Sequence, residues 1–165
     1  MFKKYLYSFC FFLGTMCLFF SFSYKSDDLG LLAFPIKQTH YFSSLYGYRD
    51  LGGYHFHNGV DVPLSPGTPI YALNSGTVSY EGFLSSYGNC LIISYYNGYK
   101  SIYGHTSGTY PFKVGEEVTS SDIVTYVGPK YLDSGNLNGF TTGPHLHFAL
   151  YCNGNNIDPL SVKYM

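Results

Sequence analysis

Short runs of apolar and polar residues follow one another along most of the chain, separated by Gly, Pro, Asn and Ser. From Thr68 onward, "TPIYAL", "GTVSYEGF", "NCLIISYY", "YKSIYGHT", "DIVTYVG" and "HLHFALY" are rich in β-branched and aromatic residues, which marks them as strands. Beyond the first two dozen residues, no window carries the 3.6-residue apolar period of a helix. The pattern predicts an all-β domain, a small antiparallel β-sandwich or partly open barrel, with long loops bordering a groove. Asn97-Gly98, between two of the runs, signals a hairpin. A two-residue turn there pairs Ile93 with Ile102 and Cys90 with His105. Residues 25–56 read as extended segments and loops. The stretch "YLDSGNLNGFTTG", residues 131–143, reads as a long polar loop, a feature often functional in a compact domain.

The N-terminus departs from this pattern. Lys3 and Lys4 precede an uncharged run from Tyr5 to Phe22. Residues 1–24 therefore read either as a cleaved secretory signal or as an N-terminal membrane anchor. Both place the remainder outside the cytosol, with residues 25–39 as a linker and 40–165 as one domain. Met16, just before Cys17, argues against lipid attachment. A net charge of −1 without a basic cluster excludes nucleic acid as a partner, and membrane contact is expected only through the N-terminal segment. A monomer is expected. The 19 tyrosines suit either a binding groove or strands with surface hydroxyls.

Candidate chemistry begins with "GPHLHFAL", residues 143–150. In a strand, His145 and His147 project from one face and Leu146 from the other. Two adjacent imidazoles suit metal binding, proton transfer or both. Upstream, "HFHNGVDVP" offers His55, His57 and Asp61 in a turn or irregular strand. Three N and O ligands with an open position characterise a catalytic zinc. The chain has no Cys-x-x-Cys pair, which disfavours a structural one.

"HNGVDVPLSPGTPIYALNSGTVSYEG", "YGNCLIISYYNGYKSIYGH" and "TTGPHLHF" together resemble successive blocks of the lysostaphin/LytM-type zinc metallopeptidases, peptidase family M23. These enzymes cleave peptide bonds in bacterial peptidoglycan. "YGYRD" resembles the Gly-x-Arg element before the family's first ligand. The resemblance covers about residues 40–150 and implies that 40–165 is a metallopeptidase domain. It implies zinc (Zn2+) on His57, Asp61 and His147, with His105 and His145 as catalytic, non-ligand histidines. Peptidoglycan peptides would be the substrate, in the cross-bridge or the stem. Tyr48 or Tyr54 is a candidate oxyanion donor, Arg49 reads as a loop anchor, and His40 and His55 read as solvated.

Two other readings compete. The first alternative is a non-catalytic peptidoglycan-binding or scaffold/activator module of cell division or sporulation that keeps a zinc site. A degenerate module should lack at least one of these five residues, and none is missing, which favours the enzyme. Carboxypeptidases that trim D-alanine depend on a glutamate shortly before the last ligand, where this chain has Thr141-Thr142-Gly143-Pro144. Strand parity sends Cys90 and Cys152 to opposite faces. Two free thiols follow, with Cys90 near the groove and its pKa lowered by His105.

Overall fold

A computed structural model describes residues 32–50 and 54–165. The predicted signal or anchor, residues 1–24, lies outside the described residues. No helix among them is long and apolar enough to cross a membrane.

The described chain is built on antiparallel strands. They are β1 (Gly47–Asp50), β2 (Tyr54–His57), β3 (Val60–Pro63), β4 (Pro69–Tyr71), β5 (Gly76–Leu84), β6 (Gly88–Tyr95), β7 (Tyr99–Gly104), β8 (Glu117–Val118), β9 (Ile123–Tyr126), β10 (His145–Cys152) and β11 (Asn155–Ile157). The main sheet runs β11-β10-β7-β6-β5-β8, and β3 shares the outer edge of β10 with β11. Two-stranded sheets β1-β2 and β4-β9 complete the architecture, and no sheet closes into a barrel.

Alternation along the central strands separates two faces. Leu91, Tyr103 and Phe148 form one cross-strand row, and all three belong to a core with Val60, Val62, Leu146 and Leu150. The opposite face carries His145 and His147. The core is closed by Ile70 and Val124 from β4 and β9 and by the N-terminal segment. Residues 32–36, expected as part of a linker, therefore pack on the domain. Leu32 and Ile36 are buried, and Leu32 bridges Tyr164. A buried polar group also sits inside, fully paired: the Tyr95 hydroxyl meets those of Ser101 and Tyr103 and accepts from Leu73 N–H.

The six sequence-predicted strands are present, but the hairpin register differs by one residue. Ile92, not Ile93, opposes Ile102, and Leu91 opposes Tyr103. The loop has three residues, Tyr96 to Gly98, with Gly98 N–H bonded to Tyr95 O and Gly98 at φ 82°. One left-handed residue after a tight turn gives a bulged hairpin in place of the two-residue form. The two-residue form occurs instead at Asn153-Gly154, where both φ values are positive, 49° and 83°, and Cys152 pairs with Asn155. The β1-β2 hairpin and strands β8 and β11 were not expected from the sequence, and the turn or irregular strand expected around Asp61 is the regular strand β3.

Candidate metal centre and groove

Strand pairing assembles the site. Asp61 in β3 and His147 in β10 are direct cross-strand partners, so their side chains start as neighbours on one face. His57 ends β2, and Asn58-Gly59 links it to β3. Gly59 is required by space: a Cβ there would lie 2.4 Å from Phe148 O and 2.9 Å from His147 Nε2. On the other side, His147 pairs with Gly104 in β7, where a Cβ would meet the Tyr87 ring at 3.2 Å and His147 Cβ at 3.3 Å.

The three donors form a small triangle. His57 Nε2 lies 3.1 Å from Asp61 Oδ1 and 3.0 Å from His147 Nδ1, and the last two atoms are 2.9 Å apart. His57 Nδ1 donates to Leu45 O at 2.8 Å, which leaves the Nε2 lone pair facing the triangle. Despite burial, which alone would raise it, the surrounding imidazoles of His145, His147 and His57 hold the Asp61 carboxyl well below its usual range. Burial outweighs Asp61 and pushes His147 down, towards neutral imidazole. Metal binding requires a carboxylate together with ring nitrogens that carry no proton. Three such atoms, all acceptors, are satisfied together by a cation, so the residues fit a divalent metal such as zinc.

The two remaining histidines stand beside this triangle. His145 Nδ1 donates to Gly143 O at 2.8 Å, and its Nε2 lies 3.5 Å from Asp61 Oδ1. Burial pushes its pKa down, but the bonds to Asp61 and Gly143 win and raise it. His105 follows the end of β7, where regular alternation would turn it towards the core. Its left-handed backbone, φ 57°, returns the ring to the groove, 4.5 Å from that of His145. A non-glycine residue held in this region costs free energy and needs strong local restraint. Its restraints are Tyr87 O on its N–H (2.7 Å), Gly128 N–H on its carbonyl (2.9 Å), and Asn138 O on Nδ1 (2.6 Å). Burial, helped by His145, lowers the His105 pKa to about 4.

A groove of about 580 Å³ joins these groups, lined also by Arg49, Tyr87 and Phe140. Three residues of importance were not singled out from the sequence. Tyr87 presents a hydroxyl bonded to Asn58 Nδ2, its ring 5.3 Å from His147, and burial raises its pKa. Asn138, fully buried, accepts from Asn89 N–H (2.8 Å) and donates to Thr106 O (2.9 Å) and Pro129 O (3.2 Å). Gly59 is the third. "YGN" at 87–89 and the "NG" pairs at 58–59 and 138–139 were the available signals.

Other expected residues fall elsewhere. Tyr48, 76% exposed, packs on Phe56 and is not among the groove-lining residues. The side chain of Tyr54 lies outside the described residues. His55 is exposed at the groove, whereas His40 is half-buried and stacked on Phe34 at 4.7 Å. Cys90 and Cys152 are both free thiols. Burial raises the Cys90 pKa to about 11, opposite to the lowering expected from a His105 neighbour. The one-residue register difference removes that pairing.

The antiparallel scaffold thus presents a His/Asp/His donor set that could hold a metal ion, beside two further imidazoles. The chain belongs to peptidase family M23, whose model matches residues 55–159. It is 33% identical over 124 residues to DD-carboxypeptidase/endopeptidase Mpg of Neisseria meningitidis serogroup B, covering 73% of this chain and 26% of that protein. Peptidoglycan DD-endopeptidase ShyC of Vibrio cholerae is 31% identical over 107 residues, 65% of this chain and 23% of its own length. The chain thus spans about a quarter of the length of these curated relatives. Among solved structures, the catalytic domain of the antimicrobial peptidase lysostaphin from Staphylococcus simulans superposes with a TM-score of 0.63 at 29% identity, covering 74% of this chain and 90% of that one.

Proposed function

We propose that the protein is a zinc-dependent endopeptidase that hydrolyses peptide bonds of bacterial peptidoglycan, acting outside the cytosol. The observation that carries this reading is the triangle of His57 Nε2, Asp61 Oδ1 and His147 Nδ1, with edges of 2.9–3.1 Å, opening into a groove that holds two more imidazoles. The relatives named as peptidoglycan DD-endopeptidase and as DD-carboxypeptidase/endopeptidase support the substrate class.

His57, Asp61 and His147 hold the metal. Zinc, when bound, lowers the pKa of a coordinated water to about 7 and polarises the substrate carbonyl. The remaining chemistry belongs to the chain. His105, its Nδ1–H fixed on Asn138 O, offers a neutral Nε2 as proton acceptor at physiological pH. His145, its Nδ1–H fixed on Gly143 O, presents Nε2 beside Asp61, where it can hold a proton and deliver it to the leaving amine. Tyr87, whose hydroxyl stays protonated, is placed to donate a hydrogen bond within the groove.

Metal analysis with peptidoglycan digestion tests this assignment. The purified protein should hold about one zinc per chain, and His147→Ala should lose it. His145→Ala and His105→Ala should keep the metal while turnover falls roughly 100-fold or more. Full zinc retention in His147→Ala, or wild-type digestion by either of the other variants, would refute the assigned roles.

A further inference from the structure

Apart from Asp61 and the histidines, Arg49 is the one residue with a charged side chain among the described residues lining the groove. It stands in β1, with Nη1 3.0 Å from Ser44 Oγ and 3.5 Å from Asp61 Oδ2, and one third of its side chain is exposed (33%). The bond to Ser44 is the loop-anchoring role expected from the sequence. It engages one nitrogen of a group with five N–H donors in a planar fork. The guanidinium is also close enough to the chemistry for its charge to oppose protonation of His145.

The charge balance in the groove is uneven. Asp61 is its sole carboxylate among the described residues, and its Oδ1 already faces His57, His145 and His147. With Asp61 shared between Arg49 and a divalent cation, no second carboxylate among the described lining residues balances the guanidinium. The guanidinium, one third exposed in a lining shared with Phe56 and Phe140, spends Nη1 on Ser44 and Asp61 and keeps further N–H donors of its fork for a ligand. Planar, bidentate pairing with a carboxylate is what this group does best.

We propose that Arg49 recognises a free carboxylate next to the scissile bond. The substrate is then a stem-peptide amide whose flanking residue keeps its carboxylate, and not the uncharged interior of a glycine bridge. This inference rests on the peptidase reading above and resolves the choice between stem and cross-bridge that the sequence left open.

The test uses the zinc-loaded full chain and two synthetic stem peptides that differ in one group, a free carboxylate or its carboxamide beside the cleaved bond. A capped pentaglycine peptide is the third substrate. The acid should be cut with a kcat/KM at least about 10-fold above the amide, the scale of one charge-assisted pair. Arg49→Gln should bring acid and amide within about 2-fold of each other, and Arg49→Lys should keep part of the preference. Calorimetry should show the acid cleavage fragment binding the wild type and not Arg49→Gln, with zinc content equal in the two. Equal cleavage of acid and amide by the wild type overturns the proposal, as does pentaglycine cut as fast as the acid. A preference that survives in Arg49→Gln also overturns it. In these three cases the peptidase reading still stands. If neither the peptides nor intact peptidoglycan is cleaved, the peptidase reading falls, and this inference with it.

Discussion

Asn138→Ala should damage both stability and turnover while leaving the metal ligands untouched. The side chain is fully buried and serves three backbone groups, the N–H of Asn89 and the carbonyls of Thr106 and Pro129. Truncation leaves one buried donor and two acceptors without partners. At about 1–3 kcal/mol for each orphaned group, with some relief from water, the loss comes to roughly 3–5 kcal/mol. That is a large part of the ~5–15 kcal/mol that holds a domain together, and it corresponds to a fall in Tm of about 10 °C or more. The backbone carbonyl of Asn138 also fixes His105 Nδ1 at 2.6 Å. Once the loop loosens, that ring loses its orientation, and kcat should fall by about 10-fold or more with little change in KM. Urea unfolding of wild type and variant, with zinc content and digestion rate measured on the same preparations, provides the assay. A variant with wild-type midpoint and wild-type kcat would refute the reasoning. A variant destabilised but with unchanged kcat would confine Asn138 to a structural role.

Gly59→Ala should lower zinc affinity and stability together, because its Cβ would collide with Phe148 O and crowd the His147 ring. Chelator competition and thermal unfolding read the two effects, and a tolerated alanine would mean that β3 can move away from β10 without cost. His105 makes stability depend on pH with a definite sign. Its folded pKa of about 4 lies below the ordinary 6.5, so its contribution is complete above about 6.5 and is lost as pH falls towards 4. His105→Asn should flatten that part of the acid-side profile in urea unfolding, and an unchanged slope would count against a buried, neutral His105.

The strands of the main sheet were legible because alternation, β-branched content and turn residues agree over 68–151. The site was legible for a related reason. Parity along His145-Leu146-His147 is a local property, and β10 runs without a bulge. What escaped depends on geometry that pattern does not encode. Asn97-Gly98 and Asn153-Gly154 are the same dipeptide, yet the first makes a three-residue loop and the second a two-residue turn. The neighbouring strands decide between them. Gly98 and Asn153 are also in contact, since Asn153 N–H bonds Gly98 O. The role of His105 was expected from the family resemblance, but its left-handed backbone was not, because alternation alone turns the ring away. Asn138 escaped because a buried asparagine in a loop looks like any polar loop residue until its three backbone partners are known. Residues 32–36 looked like linker because no periodicity marks them. They are held by Leu32 and Ile36 at the core's margin.

The two-faced character of β10 also limits how this protein can change. Leu146 and Phe148 fill the core while His145 and His147 on the same strand serve the groove. Inserting or deleting one residue inside that strand exchanges the two sets, sending imidazoles inward and leucine and phenylalanine outward. Substitutions can vary a face independently, but length changes cannot. Divergence in length is therefore confined to the connections, such as the 131–143 loop, which border the groove without setting the strand's parity.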